Sequence, residues 1–440
     1  SPIPNPQSPI PNPHLYIYFL INYNRIHKFN NNNKKKINFI KKKMEQNPPK
    51  KLVRQANLTY VNNFIAKANK KLVSVPAISQ QKACAALSAI LDKNKLLIKK
   101  YSSEGIPEEI PILRAFIWKI LLNYLPDEPK KWEETIKEKR GEYNTYKKFI
   151  KGRLETELKE KKYKSKEILI QIIKDVYRTN SENPFFYELV NKNSNKSKEE
   201  ILKLYQQRKT CVLKEINEIY YDDKENENHV EVMKRILFIY TYLCPDISYH
   251  QGMNELLAPI YYCLTYDKTY EDESEENIEA DSFWCFYYLM SKVSLSFVSG
   301  KNRGLDAKSY IFEICLKFVD EDIYNKLVEL NIRSEYYCYR WFILLFSQEF
   351  DINKILKLWD LIFSNDDFYY YVVYIGMAIM ILKKDLIIKG EMIDVMQTLQ
   401  NFGDINIDEL INKTKEINEK YKNDLDDFIL NTKLAKPIQK

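Results

Sequence analysis

The sequence has few of the residues that mark disulfide-rich, metal-binding or membrane-spanning proteins. It contains 9 glycines in 440 residues, and its 7 cysteines form no C-x-x-C pair. An odd number of scattered cysteines argues against a disulfide framework and a zinc site, and it favours a reducing compartment. No apolar run reaches the ~20 residues that a membrane-spanning helix needs. We therefore expect a cytoplasmic protein without a transmembrane segment.

The sequence also lacks the common nucleotide and metal motifs. Neither G-x-x-x-x-G-K-[ST], G-x-G-x-x-G nor H-E-x-x-H occurs in it. The four histidines do not form a plausible metal cluster, and a pair of Cys244 with His250 has no third residue at a recognisable spacing. We expect no metal site, no cofactor of its own and no autonomous catalysis.

The net charge of +8 belongs to the N-terminal segment. Residues 1–70 contain 13 lysines and arginines against one acid, Glu45, and the remaining residues are slightly acidic. The body therefore gives no reason to expect nucleic acid as a partner. The segment is rich in Pro, Asn and Lys, which predicts a low-complexity, disordered basic tail. We expect the native chain to start at Met44, with residues 1–43 not native; a tail that binds lipid or nucleic acid is the alternative.

Helical periodicity dominates the rest of the chain. Few glycines, long apolar runs and the absence of extended strand alternation predict an all-α fold, a two-lobed helical domain. We expect a leading helical segment over residues 71–104, the domain over residues 105–389 and a C-terminal helical segment over residues 390–440. Residues 191–228 are strongly polar and are predicted to be an insertion that emerges from the domain.

One polar feature lies at the end of an apolar helix. Leu169, Ile172, Ile173 and Val176 recur on one helical face, and Arg178 follows Asp175 by three residues near the helix end. Two interpretations are open from spacing alone. Asp175 and Arg178 form a surface ion pair that contributes ~0.2–0.5 kcal/mol, or Asp175 holds an arginine that is directed at a phosphate of a partner.

A second polar feature opens another apolar helix. Residues 248–251 match the S-x-x-[EQ] capping box, in which Ser248 and Gln251 satisfy each other's backbone N–H groups. Gln251 is then a helix-starting residue, and Gly252 marks a close backbone approach. In either case Gln251 stands at a helix N-terminus, where free N–H groups favour a nearby anion.

Three separated motifs together resemble the TBC domain of Rab-family GTPase-activating proteins. They are R-x-x-x-W (Arg114, Trp118), I-x-x-D-x-x-R (Ile172, Asp175, Arg178) and Y-x-Q-G-M-N (Tyr249, Gln251, Gly252, Met253, Asn254). Their order is the order of the family. Residues 234–240, 279–286, 340–350 and 356–363 are similar to the member-13 subfamily, which also has a long polar insertion between its arginine and glutamine motifs.

The resemblance implies a function in vesicle trafficking. A GTPase activator of this family binds a GTP-bound Rab, which itself holds Mg²⁺ and GTP, and is recruited to endomembranes through that partner. Arg178 would be an arginine finger, Gln251 would position the attacking water, and Asp175 would orient Arg178. Tyr249, Gly252 and Asn254 would shape the segment that presents Gln251.

Other matched residues are expected to be structural, and one rival function stays open. Arg114 with Trp118 and Arg340 with Trp341 are predicted to hold helices together. The alternative function is a catalytically silent TBC scaffold that binds Rab GTPases. The target Rab, the membrane, the oligomeric state and the role of the insertion do not follow from the sequence.

Overall fold

The computed structural model describes residues 59–72, 74–159, 166–191, 196–211, 226–266, 274–293, 303–366 and 368–434. The predicted tail before residue 59, including Met44, lies outside the described residues. Among the residues that are described, the β pairing consists of an isolated bridge between Leu189 and Asn228. The predicted all-α class is confirmed.

The α-helices are numbered here in chain order. In the first half they are α1 (Thr59–Leu72), α2 (Ala77–Leu91), α3 (Lys95–Ser103), α4 (Pro111–Leu121), α5 (Trp132–Lys159), α6 (Lys166–Val176), α7 (Lys198–Cys211), α8 (His229–Leu243), α9 (Met253–Tyr266) and α10 (Glu275–Val293). In the second half they are α11 (Arg303–Val319), α12 (Glu321–Glu329), α13 (Cys338–Leu344), α14 (Ile352–Phe363), α15 (Phe368–Leu382), α16 (Lys384–Lys389), α17 (Met392–Gln400) and α18 (Ile407–Leu434). Short 3-10 helices cover Pro129–Lys131, Pro184–Tyr187 and Ser334–Tyr336.

Side-chain caps and a proline fix where several of these helices begin. Pro111 opens α4, where a missing N–H group costs nothing. The Asn94 side chain accepts from the Leu97 N–H group at the start of α3, and Asn228 does the same for Glu231 in α8. Asp351 accepts two backbone N–H groups at the start of α14. Local sequence thus sets these helix starts directly.

The helices pack in two groups that meet at α9. The first group contains α5, α6, α8 and α10, and the second contains α3, α4 and α11 to α18. Helix α9 packs against members of both groups, including α4, α6, α10, α13 and α14. Residues 252–265 are all buried, as expected for a helix that is apolar on every side. The start of α9 therefore emerges from the centre of the domain.

One predicted boundary, the end of the tail, differs from the structure. Helix α1 begins at Thr59, inside the segment predicted as tail, because Phe64, Ala68 and Leu72 supply an apolar face that is buried. The C-terminal segment is part of the body, since α18 packs along α15 and buries Leu410 and Leu425. The segment predicted as an insertion contains α7, while residues 192–195 and 212–225 lie outside the described residues.

Candidate functional site

The arginine segment begins where α6 ends. Its predicted apolar face is buried, so the helix is held firmly against the core. After Val176 the chain turns, and the N–H groups of Arg178 and Thr179 both donate to the Asp175 carbonyl, at 3.0 and 3.1 Å. Asp175 is 8% exposed, whereas Arg178 is exposed. The turn thus buries the aspartate and directs the arginine outward.

The glutamine loop precedes α9, and it does not contain the predicted capping box. Helix α9 begins at Met253, and the Gly252 carbonyl accepts from the Leu256 N–H group at 3.3 Å, which makes Gly252 the cap position. Ser248 has a left-handed φ of 58° and lies too far upstream to cap this helix. Gln251 is exposed one residue before the cap. The position at a helix N-terminus is confirmed, but the capping role is wrong.

Buried hydrogen bonds join these two segments. The Tyr249 hydroxyl donates to Asp175 Oδ2 at 2.9 Å and lies 3.2 Å from Asn254 Oδ1. The Asn254 amide donates to Thr179 Oγ1 at 2.7 Å, and its oxygen accepts from the Gly252 N–H group at 3.1 Å. Residues far apart in sequence therefore form one network, with an exposed arginine on one side and an exposed glutamine on the other.

Asp175 does not pair with Arg178, contrary to both sequence interpretations. Its carboxylate is committed to Tyr249, and within the described residues no hydrogen bond or ion pair engages the Arg178 guanidinium or the Gln251 carboxamide. Burial raises the pKa of Asp175, while the Tyr249 hydrogen bond and the Arg178 charge oppose that rise. Burial and the neighbouring Asp175 raise the pKa of Tyr249, which keeps the phenol a hydrogen-bond donor.

Sequence reasoning missed a carboxylate under the same network. Glu255 is 8% exposed and accepts from the Asn254 amide at 2.9 Å. Burial, followed by the nearby Asp175, raises the pKa of Glu255 to about 7, against hydrogen bonds from Gln348 and Thr179. An acid in the first turn of an otherwise apolar helix was a signal that could have identified Glu255. Gln348 comes from a distant segment, so no local pattern points to it.

The loop after α13 packs against the glutamine loop. Leu345 and Phe346 both have left-handed backbone conformations, with φ of 50° and 63°. The Trp359 indole N–H group donates to the Leu345 carbonyl at 2.9 Å and helps to hold that conformation. The Leu344 side chain lies so close that a Cβ at residue 252 would be 2.7 Å from its Cδ2 atom. Gly252, which has a φ of 101°, therefore satisfies both a backbone and a space requirement.

Arg114 and Trp118 lie in a separate buried network. Arg114 Nε is 3.1 Å from both carboxylate oxygens of Asp360, and its Nη2 group donates to the Ile106 carbonyl at 3.1 Å. The Trp118 indole donates to Asp360 Oδ1 at 2.8 Å. Arg114 is 4% exposed, so it cannot reach a partner. This network ties α4 to α14.

Arg340 and Trp341 contact neighbouring parts of the second group of helices. Arg340 donates to both carboxylate oxygens of Glu349, at 2.5 and 2.9 Å, and to the Gln400 carbonyl at 2.8 Å. Trp341 is fully buried and stacks on Phe346, beside the loop after α13. Both residues therefore hold elements of the second group together.

The chain is similar to known proteins in sequence and in fold. A sequence model described as the Rab-GTPase-TBC domain matches residues 212–388. TBC1 domain family member 13 of Homo sapiens is 28% identical over 376 residues, which cover 73% of this chain and 93% of the human protein. Residues 212–388 of the chain are therefore similar to a Rab-GTPase-TBC domain. The matched residues include the glutamine loop, whereas Arg114 and Arg178 precede them.

A yeast relative and a solved structure are also similar to this chain. GTPase-activating protein GYP1 of Saccharomyces cerevisiae is 23% identical over 283 residues, which cover 61% of this chain and 37% of that protein. The crystal structure of the Ypt/Rab-GAP domain of Gyp1p aligns with a TM-score of 0.56 at 21% identity, covering 81% of this chain and 97% of that chain. At this identity the structural match shows that the two chains share a fold.

The described residues provide neither a metal site nor a membrane span. Over that part of the chain, no group of three His, Cys, Asp or Glu side chains could hold a metal ion. None of the helices in it is long and apolar enough to cross a membrane.

Proposed function

We propose that this protein accelerates GTP hydrolysis by a Rab-family small GTPase, and that it contributes Arg178 and Gln251 in trans. The observation that carries the proposal is the Tyr249–Asp175 hydrogen bond of 2.9 Å, which joins the two segments whose exposed ends are these residues. Relatives named GTPase-activating proteins in two yeasts support the same activity. The protein then acts at endomembranes, where its GTP-bound partner resides.

The chemistry of GTP hydrolysis explains why these two residue types suffice. Negative charge spreads over the phosphate oxygens in the transition state, and the attacking water must be held in line. An arginine supplied by an activator neutralises that charge and accelerates hydrolysis by about 10³- to 10⁵-fold. A glutamine side chain both donates and accepts hydrogen bonds, so it can hold the water. Mg²⁺ and GTP belong to the GTPase.

The buried network gives each residue a defined role in this mechanism. The two side chains that would contact the partner, Arg178 and Gln251, are exposed to solvent. Hydrogen bonds among Asp175, Tyr249, Asn254 and Thr179 hold the backbone segments that carry them. Preorganised positioning of this kind lowers the entropy cost of assembling the transition state. Asp175 acts through Tyr249, and its carboxylate leaves the Arg178 guanidinium available to the phosphate.

The test is a panel of purified Rab GTPases, assayed for GTP hydrolysis with the full chain. We expect at least one to be stimulated, and Arg178→Ala and Gln251→Ala each to reduce that stimulation ten-fold or more. The matched controls are Arg333→Ala and Gln397→Ala, which remove an exposed arginine and an exposed glutamine elsewhere in the sequence. Both controls should leave the stimulation unchanged.

Binding measurements separate this proposal from its rival. The affinities of Arg178→Ala and Gln251→Ala for the GTP-loaded GTPase are expected to lie within a few-fold of that of the unaltered chain, because these residues act in the transition state. If the unaltered chain binds GTP-loaded Rab proteins without faster hydrolysis, it is a silent scaffold. If both variants retain full stimulation, the assigned residues are wrong.

A further inference from the structure

Tyr205, in the helix of the polar insertion, contacts the arginine segment. Among the described side chains of residues 196–207, Tyr205 is the buried one, 5% exposed, while its neighbours are exposed or half-buried. Its ring lies against Tyr177, with centroids 5.1 Å apart, and against Tyr187, at 5.7 Å. The Tyr205 hydroxyl donates to the Tyr177 carbonyl at 3.1 Å.

That carbonyl belongs to the peptide group that leads into Arg178. The N–H group of the same peptide, which is the Arg178 N–H, donates to the Asp175 carbonyl at 3.0 Å. Both polar groups of this peptide are therefore engaged, one by the helix end and one by the insertion. A peptide plane held at both ends fixes the direction in which the Arg178 side chain leaves the backbone.

The Tyr177 side chain is held as well. Its hydroxyl donates to the buried Glu231 carboxylate of α8, and Lys234 pairs with the same carboxylate. Burial raises the pKa of the Tyr205 phenol, so that hydroxyl remains protonated and able to donate. Tyr177 is thus fixed by its side chain to the core and by its carbonyl to the insertion.

Two features of the insertion hold Tyr205 next to the Tyr177 carbonyl. Its two ends lie side by side, where the Val190 N–H group donates to the Glu227 carbonyl at 2.8 Å. Helix α7 begins with a reciprocal cap, in which the Ser197 N–H group donates to Glu200 and the Glu200 N–H group donates to Ser197 Oγ at 3.2 Å. A closed base and a capped helix start give Tyr205 a defined approach.

We propose that Tyr205 is a positioning residue for Arg178, and that the insertion serves to hold the arginine segment in the direction that a docked GTPase requires. The proposal rests on the function proposed above. This role differs from a purely structural one. Loss of the Tyr205 hydrogen bond would change the orientation of one peptide plane next to Arg178, and it would leave the stability of the domain unchanged.

The kinetic test uses the full chain and a Rab GTPase that it stimulates. Tyr205→Phe keeps the ring and removes the hydrogen bond, so we expect kcat to fall about three- to ten-fold with KM changed less than two-fold. Tyr336→Phe, which alters an exposed tyrosine, is the matched control and should match the unaltered chain. In an Arg178→Ala background, Tyr205→Phe should have no further effect. Unchanged kcat in Tyr205→Phe, or an equal loss without Arg178, would overturn the proposal.

A second measurement does not depend on GTPase activation. Hydrogen exchange of the free protein should show faster exchange at residues 178–179 in Tyr205→Phe and in a variant whose residues 191–226 are replaced by Asn-Gly, a turn that suits two adjacent antiparallel ends. Exchange elsewhere in α6 and α9 should stay unchanged. Unaltered exchange at residues 178–179 refutes the proposed tie. Failure of the proposed function appears instead as no stimulated GTPase in the panel, with the exchange difference intact.

Discussion

Replacing Gly252 by alanine tests the loop that presents Gln251. Gly252 has a φ of 101°, a conformation that costs a residue with a Cβ about 1–3 kcal/mol. The added Cβ would also lie 2.7 Å from Cδ2 of Leu344, and overpacking of a buried site costs about 1–3 kcal/mol. We therefore expect Gly252→Ala to lower the free energy of unfolding by about 2–6 kcal/mol.

Gly105 provides a control for the backbone contribution. Its φ is 95°, and a Cβ there would meet nothing within 4 Å. Gly105→Ala should therefore lose only the conformational part, about 1–3 kcal/mol. The smaller entropy of an unfolded chain with alanine affects both variants equally, so it cancels in the comparison. The difference between the two variants measures the contact with Leu344.

Urea unfolding monitored by tryptophan fluorescence gives the free energies of unfolding of Gly252→Ala and Gly105→Ala. A further variant isolates the steric clash between the new Cβ and Leu344. In a Leu344→Ala background the space for a Cβ exists, so Gly252→Ala should then cost no more than Gly105→Ala. Stimulated GTP hydrolysis should fall ten-fold or more in Gly252→Ala at a temperature where it stays folded, and remain normal in Gly105→Ala. Equal costs at both glycines, with no relief from Leu344→Ala, would refute the reasoning.

Two further predictions concern buried carboxylates. Asp360→Asn leaves Arg114 buried without its charge partner and should destabilise the protein by about 3–5 kcal/mol. Asp127→Asn, which removes an exposed pair with Lys95, should cost at most about 1 kcal/mol in the same urea titration; similar costs would contradict the assignment. For Glu255, the pKa of about 7 in the folded protein exceeds its unfolded value of about 4.3. The stability from this group is full below pH ~4.3 and is lost as the pH rises through 7. Glu255→Gln stays neutral, so its stability relative to the unaltered chain should improve by about 3 kcal/mol between pH 5 and pH 8; a difference that does not vary with pH would exclude the raised pKa.

Periodicity was sufficient to predict the fold class, and motif order identified two segments that the structure joins by a hydrogen bond. The apolar face of α6 is a local property of the sequence, and the structure buries it as predicted. The structural role of Arg114 and Trp118 was also predictable, because an arginine inside an apolar helix needs a buried partner. Asp360 as that partner was not predictable, since it comes from α14 and no local pattern joins the two segments.

The capping box illustrates where a local pattern is insufficient. The pattern S-x-x-[EQ] occurs at residues 197–200 and again at residues 248–251. At Ser197 the structure contains the reciprocal hydrogen bonds, because the residues that follow are free to start a helix. After Ser248 the chain must first bury Tyr249 against Asp175, so the helix starts later. A tertiary contact overrides the same local signal in one of the two places.

The environment of Asp175 changes what the I-x-x-D-x-x-R motif encodes. An Asp–Arg pair three residues apart would have to break before the arginine could reach a phosphate. Here the aspartate carboxylate bonds to Tyr249, and its backbone carbonyl accepts the N–H group of Arg178. The spacing therefore positions the peptide group of the arginine and leaves its guanidinium in solvent. Tyr249 also belongs to the glutamine loop. Asp175 therefore holds both segments, the arginine segment through its backbone carbonyl and the glutamine loop through its carboxylate.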